Sequence, residues 1–261
     1  MPRIFLPSAI LEPGLQGEEF ELDSETAKKL TRVLRLTEGE MFVAFDGSGG
    51  EWDCALKTIG GGSSGRSVYA VVLGPRETAP SGRLHISVAQ AIPKGEKMEW
   101  VLQKGTEVGV AEFWPLQGGR SVPVLDDPER ASARAERWRK IVQHAAAQCG
   151  RTDVPVVHAL CEFATAVDYG TNNSRCFLLD ELGETDALRT ALRREPLQFD
   201  DEVPARVMLM VGPEGGWTPR EREWADRYGV ERVGLGRLVL RTETAALVAA
   251  AVLQWEAGEL G

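Results

Sequence analysis

Toward the end of the chain, short runs of hydrophobic residues alternate with segments in which hydrophobic and polar positions follow a helical pattern. The first run, Val207 to Val211, is apolar at every position, which is typical of a strand buried on both faces of a parallel sheet. A loop rich in Gly and Pro follows at 212–216. Thr218, Pro219 and Glu221 then have the types and spacing of a capping box, so the pattern predicts strand, glycine loop and helix.

Residues 230–257 repeat this order of elements. Val230 to Leu235 predicts a short strand, and Thr242 to Thr244 supply helix-cap candidates. An alanine-rich helical pattern follows, which runs to about Trp255 and has Gly258 as its stop signal. Loops that follow neighbouring parallel strands face one crevice, so a ligand site is expected between 212–216 and 235–244. Neither the phosphate-binding Walker pattern nor the dinucleotide-binding glycine pattern is present in these loops.

The first 76 residues predict a small β module. Met41 to Phe45 and Trp52 to Ile59 read as strands joined by a glycine-rich hairpin turn. Glu77 to Gly82 is polar and contains proline and glycine, which favours a linker. The predicted organisation is therefore a β-barrel domain at 1–76, a linker at 77–82 and an α/β domain at 83–261.

The α/β domain carries further patterns of both kinds. Additional strands are expected at 84–92, 113–116, 154–157 and 176–179, and helices at 97–108 and 128–148. The turn that begins with Asp180 and Glu181 and reaches Gly183 is expected to form a third wall of the crevice. The three histidines are scattered, and packing or surface roles are expected for them.

Composition narrows the possible classes. The chain has 261 residues, of which 43% are hydrophobic and 26% charged, which predicts a soluble protein large enough for two domains. The four cysteines lack paired spacing, so we expect free thiols in a reducing cytoplasm and no metal site. No signal peptide or membrane span is predicted.

The formal net charge of −9 argues against binding of free RNA, because lysine and arginine supply most non-specific affinity for phosphates. An RNA-binding function would need a local positive face, or a partner that is partly protein.

Several motifs resemble one known family. Val211-Gly-Pro-Glu-Gly-Gly216, then Leu235-Gly236 and Leu240-Arg-Thr-Glu-Thr-Ala245, are similar to the 16S ribosomal RNA uridine-N3 methyltransferases of the SPOUT class. Further matches in the same order lie at 3–5, 32–35, 45–47, 94–99, 103–104 with 107–109, and 148–151. The family pattern has an arginine where this chain has Leu238; here the arginine is one position earlier, at Arg237.

The resemblance implies a fold, a cofactor and partners. The expected fold is an α/β SPOUT-type parallel sheet with a C-terminal deep trefoil knot, preceded by a PUA-like β-barrel. The implied cofactor is S-adenosylmethionine, and the implied substrate is N3 of a specific uridine in 16S ribosomal RNA, within the 30S subunit. The enzyme would be a homodimer that pairs through knot-region helices such as 244–254.

The resemblance also implies site residues. Arg241 is expected to stabilise negative charge on the uracil carbonyls, and Glu214 and Glu243 are acid–base candidates that could instead satisfy backbone N–H groups of the loops. The implied cofactor-binding residues are Leu179, Gly212, Pro213, Gly215, Gly216, Leu235, Gly236, Leu240 and Thr244. The implied RNA contacts are Arg3, Arg32, Arg35, Lys94, Lys97, Lys104 and Arg151.

Two other functions stay open at this stage. A SPOUT enzyme could act on another ribosomal or transfer RNA position. A protein with these motifs could also be a catalytically silent RNA-binding module of ribosome assembly.

Overall fold

The structure is a computed structural model that describes residues 1–11, 16–62, 65–78, 82–121, 128–181, 186–200 and 202–261. The chain divides into two compact units, residues 1–81 with 146–154 and residues 82–145 with 155–261. The sequence patterns gave no indication that residues 146–154 group with the N-terminal unit. The linker predicted at 77–82 stays a prediction, since 79–81 lie outside the described residues.

The first unit contains a five-stranded sheet. Its strands are β1 (Arg3–Phe5), β2 (Glu19–Glu21), β3 (Met41–Phe45), β4 (Glu51–Gly62) and β5 (Gly65–Pro75). Their order is β1-β3-β4-β5-β2, in which β1 and β3 are parallel and the other neighbours antiparallel. Helix α1 (Ser24–Lys28) continues into a π-helical turn at Lys29–Val33.

The predicted hairpin between β3 and β4 is confirmed, and Asp46 explains its shape. The Asp46 carboxylate accepts hydrogen bonds from the backbone N–H groups of Ser48 (2.8 Å) and Gly50 (3.0 Å), which fixes the turn. The next predicted turn, at 60–65, includes residues 63–64, which lie outside the described residues. Phe42, Leu56 and Leu30 are buried in the core of this unit.

The second unit contains an eight-stranded parallel sheet. Its strands are β6 (Leu84–Ala91), β7 (Val110–Gln117), β8 (Val156–Val157), β9 (Cys161–Glu162), β10 (Arg175–Leu179), β11 (Asp186–Ala187), β12 (Ala205–Val211) and β13 (Glu231–Gly234). The order is β11-β13-β10-β12-β6-β7-β8, and β9 pairs with β7. The remaining helices are α2 (Lys97–Glu107), α3 (Pro128–Cys149), α4 (Phe163–Asn173), α5 (Leu188–Arg194), α6 (Pro219–Arg227) and α7 (Thr242–Glu256).

Strand β12 lies inside the sheet, between β10 and β6. Val207 to Val211 are all buried, which confirms the interpretation of this apolar run as a strand covered on both faces. Met208 and Met210 face a core that also contains Phe163, Ala225 and Trp217, so α4 and α6 cover this side. Helix α7 packs against α2, β12 and β6 on the sheet.

The sequence predicts the N-terminal cap of α6 correctly but not that of α7. At α6, the Thr218 hydroxyl accepts from the Glu221 N–H, and the Glu221 carboxylate accepts from the Thr218 N–H, which confirms the capping box. At α7, the predicted cap is wrong. Arg241 occupies the N-cap without a side-chain cap bond, and Thr242 is already helical.

Helices α4 and α5 and the two-residue strands β9 and β11 were not predicted from sequence. Within the described ranges, no helix is both long and apolar enough to cross a membrane.

Candidate active site

Three loops at the carboxyl edge of the parallel sheet line one cavity of about 410 Å³. The lining residues are the end of β10 and the two residues after it (179–181), the end of β12 with its loop (211–214 and 216), and the end of β13 with its loop and the start of α7 (233–242). Lys97 and Ala245 complete the wall. The two predicted glycine loops therefore share one crevice, and the turn after β10 forms its third side. This is the edge at which open α/β sheets bind ligands.

The glycines of the loop after β12 are required by close packing. A Cβ on Gly212 would lie 3.2 Å from the Trp217 ring, which is fully buried beneath the loop. Gly216 has a φ of +67°, and a Cβ there would lie 2.8 Å from Glu181 Oε1. The loop backbone consequently forms the cavity surface itself.

Trp217 and Arg222 connect the loop after β12 to the loop after β10. Trp217 Nε1 donates to the Leu179 carbonyl at 2.9 Å, and Arg222 Nη1 donates to the Trp217 carbonyl at 2.6 Å. Arg222 also forms a bidentate ion pair with Asp180, at 2.7 and 2.9 Å. The Asp180 side chain is fully buried. The hydrogen bond to Asp180 raises the pKa of Arg222, so this guanidinium group stays charged.

Thr242 connects the loop after β12 to the start of α7. Its hydroxyl donates to the Gly212 carbonyl at 2.5 Å and accepts from Gln90 Nε2 at 2.8 Å. Gln90 is fully buried at the end of β6, and its amide also donates to the Ala91 carbonyl. The threonine expected to cap α7 thus fixes the cavity wall instead.

A group of charged side chains lies at one side of the cavity. Lys97 Nζ donates to Glu214 Oε1 at 2.7 Å, and the Lys94 N–H donates to the same oxygen at 3.2 Å. Lys97 Nζ also lies 3.7 Å from Glu243 Oε2, while Arg241 lines the cavity and is exposed.

These contacts set the charge states. The hydrogen bond to Glu214 raises the pKa of Lys97. Partial burial would raise the pKa of Glu214, but its hydrogen bonds, first that from Lys97, lower it below the ordinary range. Both groups are therefore ionised at neutral pH.

The predicted cofactor residues separate into two sets. Those that line the cavity are Leu179, Gly212, Pro213, Gly216, Leu235, Gly236 and Leu240. Gly215 and Thr244 are exposed and do not line it, and the Gly215 carbonyl accepts from Arg120 Nη1 at 2.8 Å. Of the two glutamates, Glu214 lines the cavity and Glu243 does not. Glu243 Oε2 is buried without a hydrogen-bond partner among the described residues.

The predicted RNA contacts lie in several different environments. Lys97 belongs to the cavity rather than to an outer helix face. Lys94 is exposed, and Lys104 pairs with Glu107 at 2.8 Å.

The four arginines of this set lie in the first unit. Arg32 and Arg35 are exposed, and Arg35 has a φ of +58°. Arg3 pairs with Glu51 and donates to the Arg151 carbonyl at 2.8 Å, and Arg151 pairs with Asp153 at 2.5 Å.

Two of the histidines share a buried carboxylate on β7. The Glu112 carboxylate lies 2.8 Å from His85 Nε2 and 3.2 Å from His158 Nε2, both within hydrogen-bond distance. It also accepts a hydrogen bond from Trp114 Nε1 at 3.0 Å. Arg206 lies 3.3 Å from the same carboxylate. In the part of the chain that the structure describes, no group of three or more His, Cys, Asp or Glu side chains could hold a metal ion.

Comparison with known proteins gives a consistent result over nearly the whole chain. Residues 80–254 match the family model described as an RNA methyltransferase domain, and residues 22–64 match an RNA methyltransferase PUA domain. Ribosomal RNA small subunit methyltransferase E of Bacillus subtilis is 31% identical over 92% of this chain and 91% of its own length. The protein of the same name from Synechocystis is 32% identical over 85% of this chain and 68% of its own length.

A solved structure resembles this one in fold. Ribosomal RNA small subunit methyltransferase E from Neisseria gonorrhoeae, bound to S-adenosyl methionine, is 30% identical, with a TM-score of 0.81 over 98% of this chain and 97% of that one.

Proposed function

We propose that this chain, which belongs to the RNA methyltransferase family that includes ribosomal RNA small subunit methyltransferase E, methylates N3 of a specific uridine in 16S ribosomal RNA. The methyl donor is S-adenosylmethionine. The observation that carries this proposal is the cavity at the carboxyl edge of the sheet. Two of its three loops contain family motifs, and Glu214 and Arg241 from these loops line it together with Lys97 of α2.

The cavity fits the donor in size and in chemistry. Its volume of about 410 Å³ lies in the range of small-molecule sites. Val211, Leu235, Leu240 and Ala245 offer apolar contact for an adenine ring, and the loop backbones offer amide and carbonyl groups. When bound, S-adenosylmethionine supplies an electrophilic methyl group. Gly212, Gly216 and Leu179 would hold it, because all three line the cavity and the two glycines expose their backbone there.

An arginine and a carboxylate of the cavity wall would assist the reaction of the pyrimidine. N3 of uracil carries a proton, so methylation requires its removal and stabilisation of the resulting negative charge. Arg241, exposed in the cavity wall, is suited to contact a uracil carbonyl oxygen. Glu214 and Glu243 are the nearby carboxylates. The burial of Glu243 Oε2 outside the cavity lining favours Glu214 as the group that meets the substrate.

The finer features of the fold belong to the same proposal. The first unit is a PUA-like barrel that holds RNA, with Arg32 and Arg35 as exposed phosphate contacts. The end of the second unit forms a deep trefoil knot. The return of α7 from β13, near one edge of the sheet, to β12 and β6 supports this topology.

The substrate is best explained as an assembled 30S particle in the cytoplasm. The net charge of −9 disfavours binding of naked RNA through charge alone, whereas a ribosomal particle also offers protein surface. The active form would be a homodimer, since α7 carries exposed Val248 and Trp255.

Labelled methyl transfer tests this function directly. The purified protein is incubated with labelled S-adenosylmethionine and 30S particles, deproteinised 16S RNA or transfer RNA, all from a strain that lacks the gene. We expect N3-methyluridine at one position, with more label in the particles. Label in another base or in transfer RNA would indicate a different SPOUT activity. Absence of both donor binding and methyl transfer would indicate a silent binding module.

A further inference from the structure

Lys97 occupies an unusual position for a lysine at the start of a surface helix. The residue lines the cavity, and its side chain is only one-third exposed. Its Nζ lies 2.7 Å from Glu214 Oε1 and 3.7 Å from Glu243 Oε2. Glu214 is held in turn by the Lys94 N–H. The position of this ammonium group is therefore fixed by two carboxylates rather than left free in solvent.

Lys97, Glu214 and Arg241 together present two cationic donors and one carboxylate acceptor to the cavity. The Watson–Crick edge of uracil has the complementary set: the acceptors O2 and O4 on either side of the N3–H donor. Cytosine differs at two of these three positions, because it carries an amino group at C4 and no proton on N3. Enzymes that modify a base commonly read this edge in the active-site pocket.

We propose that Lys97 is a catalytic and specificity-determining residue. Together with Arg241 it donates to the two carbonyl oxygens of the target uracil, while Glu214 accepts from N3–H. This inference rests on the proposed function and assigns roles within the same cavity. Glu243 does not touch the base; its buried carboxylate helps to keep Lys97 charged.

In this arrangement Glu214 is the proton acceptor for N3. The N3–H bond breaks and its proton passes to the Glu214 carboxylate. The electron pair left on N3 forms the bond to the methyl carbon of the donor, and the pair of the carbon–sulfur bond stays on sulfur. Protonated Glu214 then returns its proton to water. Lys97 and Arg241 offset the negative charge that develops on the pyrimidine ring.

Lys97→Met and Lys97→Arg test the role of the ammonium group on 30S particles. We expect Lys97→Met to lower kcat by about 10²- to 10³-fold, as for removal of one charge-stabilising donor, and Lys97→Arg to lower it less. The affinity for S-adenosylmethionine, measured by calorimetry, should be unchanged. Arg137→Met is the matched control, because it also removes a cation paired with a carboxylate of α2, Glu99, but outside the cavity.

The pH profile separates this role from a structural one. Lys97 lowers the pKa of Glu214, so Lys97→Met should raise that pKa and move the acid limb of kcat/KM to higher pH. Glu214→Gln should remove the acid limb together with most of the turnover.

Two results would overturn the inference. One is wild-type kcat in Lys97→Met. The other is a loss of kcat that is explained by weaker donor binding or lower thermal stability, while the acid limb of the kcat/KM profile does not move. Failure of the wild-type protein to methylate any uridine would instead contradict the proposed function.

Discussion

Thr242 joins the start of α7 to the loop after β12 and to β6 through one hydroxyl group. It donates to the Gly212 carbonyl and accepts from the buried Gln90 amide. Thr242→Val keeps the shape but leaves the Gln90 N–H group without this acceptor, and an unsatisfied buried donor costs about 1–3 kcal/mol. We expect urea denaturation to show a loss of this size, and calorimetry to show weaker binding of S-adenosylmethionine, because the Gly212 loop is no longer fixed.

Thr171→Val is the matched control for this prediction. The Thr171 hydroxyl donates to the Val167 carbonyl within its own helix, so its removal should change stability little and donor affinity not at all. Equal effects of the two substitutions on donor binding would contradict a specific role for Thr242.

Single residues also show where prediction from sequence stops. The glycines at 212–216 were predictable because glycine has a local meaning in a turn. From the sequence, Lys97 is expected to contact RNA and Thr242 to cap a helix, which are roles that the local pattern suggests. Their actual partners, Glu214 and Gln90, lie 117 and 152 positions away in the chain. No local pattern contains that information.

At the scale of elements, Glu112 joins several strands of the parallel sheet. Its carboxylate on β7 bonds His85 on β6 and His158 after β8, and pairs with Arg206 on β12. Burial alone would raise the pKa of Glu112, but the hydrogen bonds from His158, His85 and Trp114 outweigh it and hold the pKa far below its ordinary value of 4.5.

The sign of the resulting pH dependence follows from this shift. A carboxyl group whose pKa is lowered on folding contributes stability above its ordinary pKa and loses it as pH falls toward the folded pKa. Glu112→Gln should therefore lower the free energy of unfolding by about 3 kcal/mol at pH 7, with a smaller difference from wild type below about pH 4. Urea denaturation of both proteins, from pH 7 to below about pH 4, measures this difference in the free energy of unfolding.

Glu107→Gln provides the comparison for this carboxylate. Glu107 pairs with Lys104 near the surface, so its loss should cost well under 1 kcal/mol at pH 7. If the difference in the free energy of unfolding between Glu112→Gln and wild type stays constant with pH, the charge of Glu112 contributes nothing to stability.

Elements were predictable where their signals are contained in the element itself. The apolar run of β12, the capping box of α6 and the glycine after α7 are all of this kind. Strands β9 and β11 have two residues each, and their existence depends on pairing with β7 and β13. Such strands leave no periodic pattern in the sequence.

At the scale of the whole molecule, exposed apolar side chains on α7 predict self-association. Val248 and Trp255 are seven positions apart and thus on one helical face, and Trp255 is 64% exposed. In sedimentation experiments we expect the wild-type protein to be a dimer and Trp255→Glu to be monomeric. Tyr228→Glu, which also adds charge at an exposed aromatic position, should remain dimeric. If the Trp255→Glu protein is still a dimer, this face of α7 is not the dimer interface.

The net charge of −9 makes a second prediction at this scale. RNA binding by an acidic protein must depend on a few local cations, and Arg32 and Arg35, three positions apart, are both exposed in the first unit. If both contact phosphates, removing them should reduce the slope of log affinity against log salt concentration by about 1–2. The measurement is binding to 30S particles at several salt concentrations, with the double substitution Arg32→Gln and Arg35→Gln.

The appropriate control carries the same total charge. Arg189→Gln with Arg193→Gln removes two exposed arginines from α5, so both double variants change the formal net charge from −9 to −11. A general electrostatic effect would weaken binding equally in the two variants. A local phosphate contact changes the salt slope only when Arg32 and Arg35 are removed, because counterions are released only where a cation meets a phosphate. Equal slopes in the two variants would contradict the proposed RNA-binding role of the first unit's arginines.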